Sequence, residues 1–235
     1  MKNLGREALF DLMMLSVVAG SADAAGFLGL GHVFTSNMTG NLVLLGIAIG
    51  EHQWSQALKT LIVILTFAFG VMLGSRLVSN LPDLAWKKVL VRILTFEAGL
   101  IFAFAVLWAN DALRDLPPHF YSLILFLTVA MGLQSAAMSR LMIAGVSNTA
   151  ITGTLTSLCV GIENLFRNGA SRNPGQKRIV EQALVIVLYA CGAMCTCLLL
   201  HFARWAIGFV PATIAVVILG ERLIQTGKAA RRKGT

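Results

Sequence analysis

Two carboxylates stand inside stretches that are otherwise apolar. Asp23 falls in Ala19-Gly20-Ser21-Ala22-Asp23-Ala24, and Glu97 in Leu94-Thr95-Phe96-Glu97-Ala98-Gly99-Leu100. An ionisable side chain at the centre of a bilayer costs about 3 kcal/mol on insertion scales, so such a residue faces a partner or a wet cavity. Both acids are therefore candidate proton-coupling groups, and Asp23 is also a candidate solute ligand. The competing roles are structural: Asp23 as a cap for a polar break after the first apolar run, Glu97 as the partner of an interior base.

Two short polar motifs precede apolar runs. Ser36-Asn37-Met38-Thr39-Gly40-Asn41 leads into one, and Thr152-Gly153-Thr154 into the other. Ser, Asn and Thr at such a place read as helix N-caps, because their oxygens accept the orphan N–H groups of the first turn. Gly40 and Gly153 allow close backbone approach. A half-helix starting here aims free N–H groups and the positive end of its dipole into the protein, which suits an anionic or strongly polar solute. Ser36, Asn37, Thr39, Gly40, Asn41, Thr152, Gly153 and Thr154 are thus candidate solute-binding residues, with Asn41 and Thr154 adding side-chain bonds. The competing reading makes them small residues at a tight helix crossing.

Other polar residues carry weaker signals. Arg76, Arg92, Arg140 and Glu181 lie near the ends of apolar runs, where long side chains snorkel to the headgroups. His32, His52, His119 and His201 form no ligand-spaced cluster, and Cys159, Cys191, Cys195 and Cys197 read as small apolar residues. No metal and no cofactor is expected. Gly70-Val71-Met72-Leu73-Gly74 is a GxxxG element that marks close helix packing. The sequence contains no Walker loop, dinucleotide fingerprint, Gly-x-Ser-x-Gly or zincin motif. An enzyme is not expected.

The elements that must position these residues are membrane helices. Of the 235 residues, 57% are hydrophobic and only 13% charged, and mean hydropathy is +0.77. A soluble chain of this size could not hide so many apolar side chains. The net charge of +8 sits in clusters between apolar runs, where it fixes topology and attracts anionic lipid rather than nucleic acid. Six stretches reach the roughly 20 residues that a crossing needs: about 9–31, 57–79, 89–109, 119–141, 180–203 and 205–222. Two shorter ones, about 38–50 and 150–163, read as re-entrant or half-helices. Lys2 and Arg6 before an apolar run, with Ala22-Asp23-Ala24 after it, imitate a secretory signal. Glu7, Asp11 and the repeat described next favour a retained first span.

Sliding the chain by 112 residues sets Val17, Gly20, Ala24 and Ala25 on Val129, Gly132, Ala136 and Ala137; one residue later Thr39-Gly40 falls on Thr152-Gly153. The chain then divides into a first repeat (1–115), a second repeat (116–222) and a basic cytoplasmic tail (223–235). With six crossings and a cytoplasmic N-terminus, only Lys59, Arg114 and Arg204 among the bases face outward. If both short segments also cross, giving eight spans, Arg76, Lys87, Lys88 and Arg92 move outside. The positive-inside rule favours six. Three crossings per repeat invert the second copy relative to the first, the plan of many transporters and channels. The expected class is an all-α polytopic membrane protein with two inverted-topology repeats.

The stretch from Ala19 through Asp23, Phe27-Leu28 and Ser36 to Gly46, together with Gly132-Leu133-Gln134-Ser135-Ala136 and Thr152-Gly153-Thr154-Leu155, resembles the YoaK-like bacterial membrane proteins over nearly the whole chain. Ser135 departs from the Asn expected there. The resemblance implies an integral protein of the bacterial envelope and brings no catalytic residues with it. Gln134, in the second block, joins the candidate solute-binding set. The expected function is a permease for a small polar or anionic solute, with proton coupling through Asp23 or Glu97, in the bacterial cytoplasmic membrane with both termini inside. The alternative is a non-transporting membrane component that supports or senses other envelope proteins. The expected partners are the lipid bilayer, the solute and a second copy of the chain, and no nucleic acid.

Overall fold

The prolines among the described residues stand where helices begin, which leaves the apolar runs free to stay helical. Pro117 and Pro118 open one helix, and Pro211 lies in the first turn of another, where a missing N–H costs nothing. The computed structural model describes residues 6–78, 86–110, 117–141, 151–168, 175–203, 205 and 207–231. The regular structure among them is eight α-helices: α1 (Arg6–Gly29), α2 (Met38–Gly50), α3 (Trp54–Val78), α4 (Trp86–Ala109), α5 (Pro117–Leu141), α6 (Ile151–Asn168), α7 (Gly175–Phe202) and α8 (Phe209–Arg231).

Five of these, α1, α3, α4, α5 and α7, are long and apolar enough to cross a membrane. The sixth expected span, 205–222, is shorter than the sequence suggests. Trp205 stands outside the helix, and the apolar part of α8 is Phe209–Glu221. Beyond Glu221 the same helix runs on into the basic segment. The short segment 38–50 is helix α2, and the segment expected at 150–163 is helix α6, which continues to Asn168. The Asn80–Lys88 loop is largely outside the described residues, as are Arg114, Arg204 and the end of the basic tail.

α1 and α5 form the centre, packed with α4 and α8, while α3 and α7 lie outside them. The apolar window of α5 is 67% buried, that of α7 only 17%. Leu58, Leu65, Phe69 and Met72 of α3, and Val187, Met194 and Leu198 of α7, are exposed. So large an uncovered apolar surface suits lipid and not water.

The core falls into two clusters along the bundle. One joins Leu12 and Leu15 of α1 to Ile93 and Leu94 of α4, Leu133 and Ala137 of α5 and Ile218 of α8. The other joins Val18 to Leu30 with Ala98 to Trp108, Leu123 to Met131 and Ile207 to Ala215. Hence α1 runs parallel to α4 and antiparallel to α5 and α8. α3 runs parallel to α5: the Thr66 and Thr128 hydroxyls meet at 2.7 Å, and Gly74 lies against Ala136 a few turns on.

The helix pairs come in matched sets: α3 on α5 and α7 on α1, α2 on α3 and α6 on α7, α4 on α5 and α8 on α1. The match extends to single residues. Gly70 packs on the Val129 carbonyl and Gly132 on the Phe67 carbonyl; Gly192 packs on the Val17 carbonyl and Gly20 on the Tyr189 carbonyl. At none of the four is there room for a Cβ. The GxxxG element of α3 therefore serves a crossing within the chain.

Candidate functional site

α1 ends in a tight reversal. Gly31 and His32 both adopt left-handed backbone, with φ of 78° and 61°, and the chain folds back along the helix it has just left. Phe34 stacks on Phe27 at 5.1 Å between ring centroids. One turn deeper, the backbone reaches Asp23. Asp23 Oδ1 accepts the Thr35 N–H at 2.7 Å, the Ser36 N–H at 2.6 Å and the Thr35 hydroxyl at 3.2 Å. Its Oδ2 accepts the Ser36 hydroxyl at 2.7 Å and the Tyr189 hydroxyl from α7. The carboxylate is buried, as are Thr35 and Ser36. Hydrogen bonds to an ionised group are the strong ones, and here four of them tie a reversed loop to the last two turns of α1, while a fifth comes from α7. Thr35 and Ser36 thus lie beside Asp23, about 9 Å back from the end of α1, six residues at 1.5 Å each.

Asn41 completes this anchor. Its Oδ1 accepts the Phe34 N–H at 2.9 Å and its Nδ2 donates to the Phe34 carbonyl at 2.6 Å, so one side chain satisfies both backbone groups of a half-buried loop residue. Its Nδ2 also lies 3.6 Å from Met38 Sδ. Asn37 is the N-cap of α2 and takes the Gly40 N–H at 3.3 Å. Gly40 sits under the Phe34 ring, while Asn37 and Thr39 are exposed. The structure therefore brings Asp23, Ser36, Asn37, Gly40 and Asn41 into one knot, whose inner polar atoms bond to one another.

Glu97 is the opposite case. It is fully buried on α4, and neither carboxylate oxygen has a hydrogen-bond partner among the described residues. Gln134 of α5 is also fully buried. Its Nε2 donates to the Leu15 carbonyl of α1 at 3.0 Å, while its Oε1 has no described partner.

Thr152 and Gly153 are exposed at the start of α6, and Thr154 is buried. A Cβ on Gly153 would meet nothing within 4 Å. α2 packs on α3 and α6 on α7. α2 leads to the end of the bundle where α3 begins, and α6 joins the opposite end, with Ile151 against the Leu12 cluster. The two Thr-Gly helices thus join opposite ends of the bundle. The residues leading into the second motif, 142–150, lie outside the described ones.

Among the described residues no three His, Cys, Asp or Glu side chains converge as metal ligands, and the four cysteines are free. An apolar crevice of about 470 Å³ opens between α3, α4 and α5, lined by Leu65, Phe69, Phe96, Leu100, Leu125, Val129 and Leu133 among others. Sequence reasoning missed Thr35 and Tyr189. Thr35 carries a local signal, a hydroxyl next to Ser36. Tyr189 carries a fainter one, as one of only two tyrosines, placed in an apolar run.

A family described as a protein of unknown function (DUF1275) matches residues 12–220. The UPF0700 transmembrane protein YoaK of Bacillus subtilis (strain 168) is 36% identical over 198 residues, which span 83% of this chain and 86% of that protein. No solved structure matches the chain. The chain belongs to the DUF1275 family, the one that its Asp23 and Thr39-Gly40-Asn41 motifs resemble, and it is a multi-pass membrane protein.

Proposed function

We propose that this DUF1275 member is a permease of the bacterial cytoplasmic membrane for a small polar or anionic solute. It is built from two inverted-topology repeats with six crossings, and α2 and α6 enter the membrane without crossing it. Two observations support six crossings over eight. α1 runs antiparallel to α5, whereas eight crossings would make these helices parallel. Gln56 in the first turn of α3 donates to the Gly31 carbonyl at the end of α1, at 3.0 Å, so the α2 segment leaves and returns on one side. The paired glycine crossings support duplication. The distribution of basic residues in the sequence supports cytoplasmic termini.

The observation that carries the permease reading is Glu97. A buried acid with unpartnered oxygens is costly to keep in a membrane interior. It lies where α4 of the first half packs on α5 and α8 of the second, the seam along which two repeats would rock. In this reading Glu97 couples protons to the solute, while Asp23 holds the re-entrant loop in place. Proteoliposomes with an entrapped pH indicator, challenged with gradients of small organic anions and amino acids, test it. At least one gradient should move protons through the wild-type protein and not through Glu97→Gln. Vesicles as tight as protein-free ones to the whole panel would move the assignment to a non-transporting membrane component. That second reading is favoured by the Asp23 knot, where the polar atoms bond internally.

A further inference from the structure

Glu97 and Gln134 occupy the same level of the bundle. Leu94 and Ile101, one turn to either side of Glu97 on the same face of α4, belong to the two different core clusters. On α5, Met131 and Ala137 bracket Gln134 in the same way. The crevice fixes the register independently, because Phe96 and Leu100 of α4 line it with Val129 and Leu133 of α5. Both side chains are fully buried, and together they present three acceptor oxygens, Glu97 Oε1 and Oε2 and Gln134 Oε1, with no described donor. The Gln134 amide cannot rotate freely, because its Nε2 is engaged by the Leu15 carbonyl. What this group lacks is one hydrogen.

We propose that Glu97 and Gln134 form a proton-holding pair, in which a carboxylic acid on Glu97 donates to Gln134 Oε1 and Gln134 passes the contact on to the backbone of α1. This deepens the coupling role given to Glu97 and rests on that reading only for its use in transport. Loading takes one proton from water onto a carboxylate oxygen; release returns it to water and leaves two acceptors facing each other, which pushes α4 away from α5. Three oxygens are few for a metal ion, which typically takes about six. Among the side chains that the structure describes, the other ionisable groups on the helices packed against α4 lie elsewhere. Arg92 on α4 and Glu221 on α8 are exposed, Tyr121 of α5 and Lys59 of α3 lie toward one end, and Arg76 of α3 lies toward the other. Of the acids of α1 whose side chains are described, Asp23 is saturated, and Asp11 is engaged toward the helix start.

Infrared spectroscopy of the full-length protein, purified in detergent at neutral pH with 13C-labelled glutamate, tests the pair without any transport. The wild type should show a protonated-carboxyl C=O band that disappears in Glu97→Gln. In Gln134→Leu the band should move to higher frequency, as a lost hydrogen bond requires. Gln134→Asn serves as the partner variant if Gln134→Leu fails to fold. Glutamate intensity only in the ionised region, a Glu97 band unmoved by either Gln134 substitution, or a response only to added Na+ would overturn the pair. A correct band with no flux through vesicles would leave the pair standing and remove the permease.

Discussion

α2 and α6 hold equivalent places in the two halves, each a Thr-Gly helix between a central helix and an outer one, yet their physics differs. α2 has no charged residue, and it exposes Leu42, Val43, Ile47 and Ile49 on a helix whose start is pinned beside α1 by Asp23 and Asn41. α6 sets an exposed apolar stripe of Leu155, Ile162 and Phe166 beside Glu163 and Arg167. The first belongs in hydrocarbon; the second has the two-faced character of a helix at the headgroup boundary. The position that pins the first half also differs, since Asp23 corresponds to Ser135 under the repeat, and the Ser135 hydroxyl donates only to the Met131 carbonyl of its own helix, at 2.9 Å. Under the proposed duplication the two halves share a frame, and one of them carries a polar anchor that the other lacks.

The largest expected effect is at that anchor. Asp23→Ala strands buried donors from Thr35, Ser36 and Tyr189 and should cost more than about 3 kcal/mol, read as lost resistance to denaturation in mixed micelles. Ser135→Ala should stay within about 0.5 kcal/mol. Equal losses at the two sites would remove the asymmetry.

A smaller effect should be shared by both halves. Gly20→Ala and Gly132→Ala each force a Cβ into a backbone carbonyl of the neighbouring helix and should each cost about 1–3 kcal/mol, the usual range for overpacking. A large loss at one and none at the other would break the matched-crossing account. Smallest is the pair of Thr-Gly glycines. Gly40→Ala presses on the Phe34 ring at 2.9 Å and should cost about 1 kcal/mol. Gly153→Ala meets open space and should be neutral or gain up to about 1 kcal/mol of helix propensity. Thermal unfolding of both in one detergent sharpens the contrast between the two helices.

How much of this was legible in the sequence depends on how local each cause is. Val17, Gly20, Val129 and Gly132 stood out as a repeat because a tight crossing demands small residues at fixed spacing, and the structure puts those four at the crossings. Asn37 as an N-cap was equally local. Asp23 could be read as buried, but its partners Thr35 and Tyr189 lie 12 and 166 residues away; only the reversal at Gly31-His32 and the α1–α7 crossing bring them together. Economy of burial alone would gather the Thr-Gly segments, Asp23 and Glu97 into one shared polar site. The chain satisfies the same requirement another way, by closing the first motif on itself and leaving Glu97 to a different neighbourhood. The sixth apolar helix starts at Phe209 instead of the expected 205 because hydropathy marks apolar residues and not where a helix begins.

The claim beneath all of this is that α2 and α6 face opposite sides of the membrane. Single cysteines at Glu51→Cys, just past α2, and Glu163→Cys, on α6, report it directly, in a protein whose Cys159, Cys191, Cys195 and Cys197 are replaced by alanine. Both positions are exposed. A membrane-impermeant maleimide added to intact cells should label Glu51→Cys and should reach Glu163→Cys only after the membrane is opened. Labelling of both from the same side would contradict the inverted repeat and restore eight crossings.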